Sequence, residues 1–219
     1  MSWVAANLSQ IASLLLAHIA ITVPAIVLSV AVAVPLGRLA HASGRARGSI
    51  LATTGVLYAI PSLPLLIVIP IIFGLPLRSP ATMIIALTVY GIAMLARSAA
   101  DAFASVPADA VTVATATGHT PRGRFLHVEL PLAMPVLIAG TRVVAMSTIG
   151  LATIGALIGI PSLGSLLTDG FQRGIAAEVA TGIILTLVLA AVIDAALWLA
   201  GRVSQPWSRL AHETRLISP

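Results

Sequence analysis

The sequence predicts an all-α integral membrane protein that crosses the bilayer about five times, and two observations carry that prediction. Hydrophobic residues fill 58% of the 219 positions and charged residues only 9%, with a mean hydropathy of +1.06. A soluble domain carries about 25% charge, so this chain has too little charge for a surface that faces water. The apolar residues also gather into long segments, and about 20 such residues carry a helix across the ~30 Å hydrocarbon core. Helices are required because lipid offers no partner to free backbone groups. The period-two alternation of a membrane barrel is absent.

Five segments qualify, in one domain covering residues 1–219. The first, 11–36, is uncharged. The opening MSWVAANLSQ has no basic residue and the first Arg is Arg38, so this segment is expected to remain as an anchor and not to act as a cleaved leader. The second, 50–73, is broken by Pro61, Pro64 and Pro70. Each proline removes a backbone donor and clashes with the preceding turn. Broken backbone at membrane depth is tolerated where it packs on protein or lines a cavity. Pro61, Ser62 and Pro64 therefore mark either a kinked, pathway-lining helix or a structural kink without solute contact. The third segment is 81–96, the fourth 132–158 and the fifth 179–200. Gly150, Gly155 and Gly159 in the fourth permit close helix packing, within the chain or against a second copy. The tetrapeptide IPSL occurs at 60–63 and 160–163, a match that so biased a composition produces by chance.

Arginine placement orients the chain. Arg38, Arg45 and Arg47 precede the second segment, Arg97, Arg122 and Arg124 follow the third, and Arg202, Arg209 and Arg215 follow the fifth. Five crossings put those nine on one side, leave Arg78 and Arg173 on the other, and place Arg142 in the membrane. Short basic loops stay cytoplasmic. The expected arrangement is a multi-pass membrane protein, N-terminus outside and C-terminus cytoplasmic. The net charge of +5 thus reads as orientation. A nucleic-acid partner would need the Arg on one soluble face, and none is expected.

Several chemistries are excluded. A phosphate-binding P-loop needs a Lys, and all twelve basic residues are Arg. No two glycines lie two apart, so the dinucleotide fingerprint is missing. There is no Cys, hence no thiol chemistry. His18, His41, His119, His127 and His212 lack the i, i+4 spacing of a zinc helix. His119 and His127 read as solvated loop residues, and His18 as a packed, hydrogen-bonded side chain. No catalytic residue, metal or cofactor bound by this chain is expected.

Two ionisable residues fall inside the membrane, where lone charges are costly. Arg142 lies about 15 Å from the cytoplasmic start of the fourth segment and Asp194 about 10 Å from the cytoplasmic end of the fifth, at helical rise. Their similar depth predicts an Arg142–Asp194 pair joining the two helices.

A polar island, 109–131, lies within the cytoplasmic loop at about 101–131 and reads DAVTVATATGHTPRGRFLHVELP. It resembles the EAA loop of bacterial ABC-importer permeases, whose pattern is E-A-A, three residues, Gly, nine residues, then I-x-L-P. Gly118 is followed by nine residues and then Val128-Glu129-Leu130-Pro131. The E-A-A positions fall on Thr112, Val113 and Ala114, so the acid is lost and Asp109 is placed to substitute. YAIPSLPLLIVIP, LARSAADAF and HVELPLAMPVLIAGTRVVAMSTIGLATIGALIG followed by IPSLGSLL are similar to the osmoprotectant permeases, over about residues 14–199. The five-span layout is shared with methionine-type permeases of the type I importer fold.

The resemblance implies the membrane subunit of an ATP-driven importer for a compatible solute of the glycine betaine, choline or carnitine type. It implies a separate ABC ATPase that binds ATP and Mg, an extracytoplasmic solute-binding protein and a second permease subunit, identical or paralogous. Asp109, Thr112, Ala114, Gly118, Arg122, Arg124, Leu130 and Pro131 would form the ATPase-coupling loop. The external stretch 159–178, with Asp169, Arg173 and Glu178, would face the binding protein. Alternatives are a permease for an amino acid such as methionine, an ion-coupled secondary transporter, or a membrane protein with no transport role.

Overall fold

The computed structural model describes residues 2–204 and is helical throughout that range apart from short connections. Arg209, His212 and Arg215 lie outside the described residues. A short helix α1 (Ser2–Ala6) precedes α2 (Leu8–Ala42), the first long helix. Then come α3 (Gly44–Ala59), α4 (Ser62–Phe73) and α5 (Pro80–Ala104). The next loop holds α6 (Ala108–Ala116) and α7 (Pro121–Arg124), and α8 (Leu130–Ala152), α9 (Gly164–Arg173) and α10 (Ala176–Ser204) follow.

Among the described residues four helical stretches are long and apolar enough to span a membrane: Leu8–Ala42, Pro80–Ala104, Pro121–Ile158 and Ala176–Ser204. Each overruns its expected limits, because a helix continues past the point where its sequence turns polar. α5, for example, carries Arg97 and Asp101 on well-formed turns beyond the apolar run.

The second segment is two helices meeting at a sharp break, a broken span or a re-entrant loop. Arg47–Ala59 and Ser62–Phe73 meet at 110°, so at most the bent pair together forms a fifth crossing. The cause is local. Pro61 steers Ile60 away from helical backbone and itself adopts extended backbone, φ −59 and ψ 142, before the first turn of α4. Pro64 falls within that first turn, where backbone N–H groups have no intrahelical partner to lose. At 12 residues, α4 is about 18 Å long, too short to cross alone.

The bundle is built around α5, which packs against α2, α8, α3 and α4. The α2–α5 contact is close because Gly37 faces Ala99, and a Cβ there would lie 2.7 Å from the backbone nitrogen of Ala100. One cluster joins Ile21 and Ala25 of α2, Leu65 and Leu66 of α4, and Met83 and Leu87 of α5. Ile160 and Ile60, the first residues of the two IPSL copies, pack in that same cluster. Polar side chains on the helices satisfy themselves locally: Thr22, Ser29, Thr88 and Thr141 donate to the carbonyls of His18, Ala25, Ile84 and Leu137. That i−4 bonding hides a hydroxyl within its own helix, and Ser29 also donates across to Thr88 O of α5 at 3.2 Å.

The glycine series of the fourth segment divides. Gly155 packs beside Met83, Gly159 ends the helical run at φ +81 against Arg78, and Gly150 has open space around it.

Candidate functional site

The loop between α5 and α8 folds into a compact element. Asp109 sits in the first turn of α6, where a negative charge favours the helix N-terminus. Thr112 lies three residues on and on the same face, and both side chains are exposed. Val113 is 62% exposed whereas Ala114 is buried. Of the three E-A-A positions, two therefore face outward and the small one faces the protein.

Gly118 ends α6 for a stereochemical reason. Its φ is +84, in the left-handed region that side chains resist. Its N–H donates to Thr115 O while His119 N–H donates to Ala114 O, a Schellman closure that satisfies the final carbonyls. Thr120 then caps α7 by accepting from Gly123 N–H at 3.1 Å, with Pro121 at the first helical position. Residues 125–129 form one π turn, in which Leu130 N–H reaches Phe125 O. That widened turn stands directly before Pro131, which has no N–H to continue the i−4 ladder. α7, the π turn, α8 and the tighter 3-10 turns of Thr153–Ile158 thus form one helical run, Pro121–Ile158.

An ionic knot joins this element to the membrane helices. Glu129 Oε1 accepts from Arg124 Nε at 2.8 Å, and Glu129 Oε2 from Arg38 Nε at 3.2 Å. Arg124 Nη1 also donates to Thr115 Oγ1 on α6 at 3.1 Å. The Arg38 guanidinium lies 4.0 Å from the centre of the Phe125 ring, which packs with Phe103 of α5. One carboxylate therefore ties α6, α7, α8 and α2 together. Beneath α6 a cavity of about 390 Å³ is lined by His41, Phe103, Val106, Val111, Thr112 and Glu129. Glu129 appeared in the sequence only as a motif position and Arg38 only as an orientation charge. Their partnership spans 91 residues and leaves no local signal.

The expected site residues separate into two groups. Asp109, Thr112, Gly118 and Arg122 lie on the exposed surface. Ala114, Arg124, Leu130 and Pro131 face inward, Arg124 as a brace and Leu130 in the cluster around Ala99, Phe103 and Leu137. His119 and His127 are exposed.

In the membrane region Arg142 meets Asp194 through two hydrogen bonds, Nε to Oδ1 and Nη2 to Oδ2, each 2.6 Å. This forked geometry is the strong form of the contact. Ser62 borders a cavity of only about 10 Å³ against Leu66, Met83, Tyr90 and Leu151, the limit for a single water. Pro61 and Pro64 are exposed. His18 is fully buried and accepts from Leu163 N–H at 3.3 Å. Glu178 departs from its expected place toward an external partner. It is fully buried, and Arg173 approaches its carboxylate at 3.8 Å. α9 folds back over α10 and covers it, with Gly170 leaving room for its Cβ.

Residues 25–206 match the family described as binding-protein-dependent transport system inner membrane component. The chain belongs to this family. It is 32% identical over 189 residues to the choline transport system permease protein OpuBB of Bacillus subtilis (strain 168), covering 86% of each chain. It is 29% identical to the glycine betaine/carnitine/choline permease protein OpuCD of the same organism, over 85% of this chain and 81% of that one. The osmoprotectant import permease protein OsmW of Salmonella typhimurium is 29% identical, over 90% and 91%. A solved inward-facing structure of the MetNI methionine ABC transporter superposes with a TM-score of 0.78 at 22% identity, covering 89% of this chain and 95% of that one. That likeness shows a shared type I importer fold. The chain is therefore a transport subunit, the multi-pass permease of an ABC importer in the cytoplasmic membrane, working with an ATPase and a substrate-binding protein.

Proposed function

We propose that this permease imports a small quaternary-ammonium solute of the glycine betaine, choline or carnitine type. The observation that carries the substrate class is the similarity, along nearly the whole chain, to permeases named for choline, glycine betaine and carnitine. The methionine importer is a relative in fold at 22% identity, which favours the first class over an amino acid. Transport in this reading needs a second permease subunit, and ATP and Mg stay with the partner ATPase. The N-terminus faces outward and the C-terminus the cytoplasm, which puts α6 beside the ATPase.

Mechanically, the exposed face carrying Asp109, Thr112 and Val113 seats in the ATPase. Closure of the ATPase is passed through the Glu129 knot to α2 and α8. The 159–178 stretch, with Phe171 83% exposed, receives the binding protein on the opposite side. The deciding experiment reconstitutes the complete importer in vesicles and measures uptake of labelled glycine betaine, carnitine, choline and methionine. ATP-dependent uptake of the quaternary solutes is expected. Uptake driven by an ion gradient without nucleotide, or uptake of methionine alone, would overturn the proposal.

A further inference from the structure

Two tyrosines and one arginine converge where α3 runs antiparallel to α5. Tyr58 and Tyr90, the chain's only tyrosines, stack with ring centres 5.3 Å apart and a 44° tilt. On the cytoplasmic side of that stack lies a cavity of about 310 Å³, lined by Thr54, Gly55, Tyr58, Ala93, Met94 and Arg97. On its other side lies the closed space beside Ser62, about 10 Å³. The tyrosine pair thus separates a tight outer half from a roomy inner half.

Arg97 differs from Arg142 and Arg38. Arg142 is forked onto Asp194, and Arg38 is held by Glu129 and Phe125. Arg97 is exposed to the cavity side of the fold and has no hydrogen bond or ion pair among the described residues. Asp101, one turn along α5, is engaged by Arg47 at 3.6 Å. Arg97 stands just past the apolar run of α5, about 10 Å before the helix end at helical rise, and no acidic side chain among the described residues answers it. A carboxylate entering the cavity would supply the missing counter-charge, and a guanidinium suits it by geometry as well as sign. An aromatic face attracts a quaternary ammonium, and Tyr58 presents one, at 49% exposure, to the same cavity.

We propose that the Tyr58–Arg97 cavity is a transit site for a zwitterion, the carboxylate held by Arg97 and the quaternary ammonium by the ring of Tyr58. The inference rests on the substrate class proposed above and narrows it. A carboxylate-bearing solute such as glycine betaine or carnitine fits the pair, whereas choline, a cation without a carboxylate, meets Arg97 unfavourably.

The test uses the complete importer in vesicles and scores the ratio of glycine betaine to choline uptake. Arg97→Gln is expected to lower that ratio about ten-fold, the effect of losing one charge-assisted contact, and Arg97→Lys to lower it less. Tyr58→Leu should slow uptake of both solutes, and Tyr58→Phe, which keeps the ring face, should recover it. An unchanged ratio in Arg97→Gln alongside normal wild-type uptake would overturn the site and leave the importer reading standing. Equal loss of both solutes in Arg97→Gln would also overturn the site, as a structural effect. A wild-type importer that carries neither solute would overturn both.

Discussion

Replacing Glu129 by Gln keeps the side chain's shape and removes the charge that holds two guanidiniums. The structure sets the magnitude. Glu129 is 13% exposed at its side chain and accepts two charge-assisted hydrogen bonds, while Arg38 and Arg124 are 33% and 30% exposed. Such bonds contribute about 1.5–3 kcal/mol each when sheltered, and solvent screening at the arginine side reduces that. A total loss of about 2 kcal/mol follows, close to a 30-fold shift in the equilibrium between a braced and a loose α6. Two measurements read it. Amide hydrogen exchange across 108–116 should accelerate in Glu129→Gln, because local opening is governed by the lost free energy. In vesicles, solute imported per ATP hydrolysed should fall, since closure of the ATPase would move α6 without moving α2 and α8. A cycle with Arg124→Gln separates the pair from the rest, and the double variant should lose less than the two single losses added. Unchanged exchange together with unchanged stoichiometry would refute the reasoning, and strict additivity would refute the pairing.

Further outcomes are expected elsewhere. Arg142→Gln and Asp194→Asn should each reduce the yield of folded permease in size-exclusion profiles, and the double variant should recover much of it. Gly118→Ala forces a side chain into φ +84 and should cost about 1–2 kcal/mol, read as weakened co-purification with the ATPase while membrane insertion persists. Arg122→Glu, on the exposed surface beyond α6, should abolish that co-purification at unchanged insertion. Gly37→Ala should destabilise the α2–α5 contact by about 1–3 kcal/mol through overpacking, measured by thermal unfolding in detergent.

The spans were legible because lipid imposes a single length and a single polarity on whatever crosses it. The long helices all lie where apolar runs of that length occur. Their ends were not legible, since α5 carries Arg97 and Asp101 on regular turns that an apolar window treats as loop. The prolines near 61 announced a disturbance without its size. Three prolines are compatible with a gentle bend; the extended backbone at Pro61 opens the break, and α4 settles at 110° with Leu65, Leu66 and Ile69 packed beside Met83 and Leu87. At the loop, Gly118 and Pro131 declared themselves through backbone stereochemistry. Glu129 and Arg38 did not, because an ion pair 91 residues apart has no period. Arg142 and Asp194 were easier to match, since charge is scarce in these helices and their depths agree. Glu178 misled for the opposite reason. A charged residue beside a turn ordinarily faces water, and its burial depends on α9 folding over it.

The unbroken run from Pro121 to Ile158 contains 38 residues, a strut of roughly 57 Å at helical rise. Its first turns are clamped to α2 through Glu129, and in the proposed orientation its other end reaches the external side. A strut of that length needs no internal rearrangement to signal across the bilayer. Tilting it by about five degrees displaces one tip by about 5 Å relative to the other at that length. Compliance would concentrate at the single widened turn, residues 125–129, so the stiffness of that one joint sets how much of the motor's stroke arrives outside.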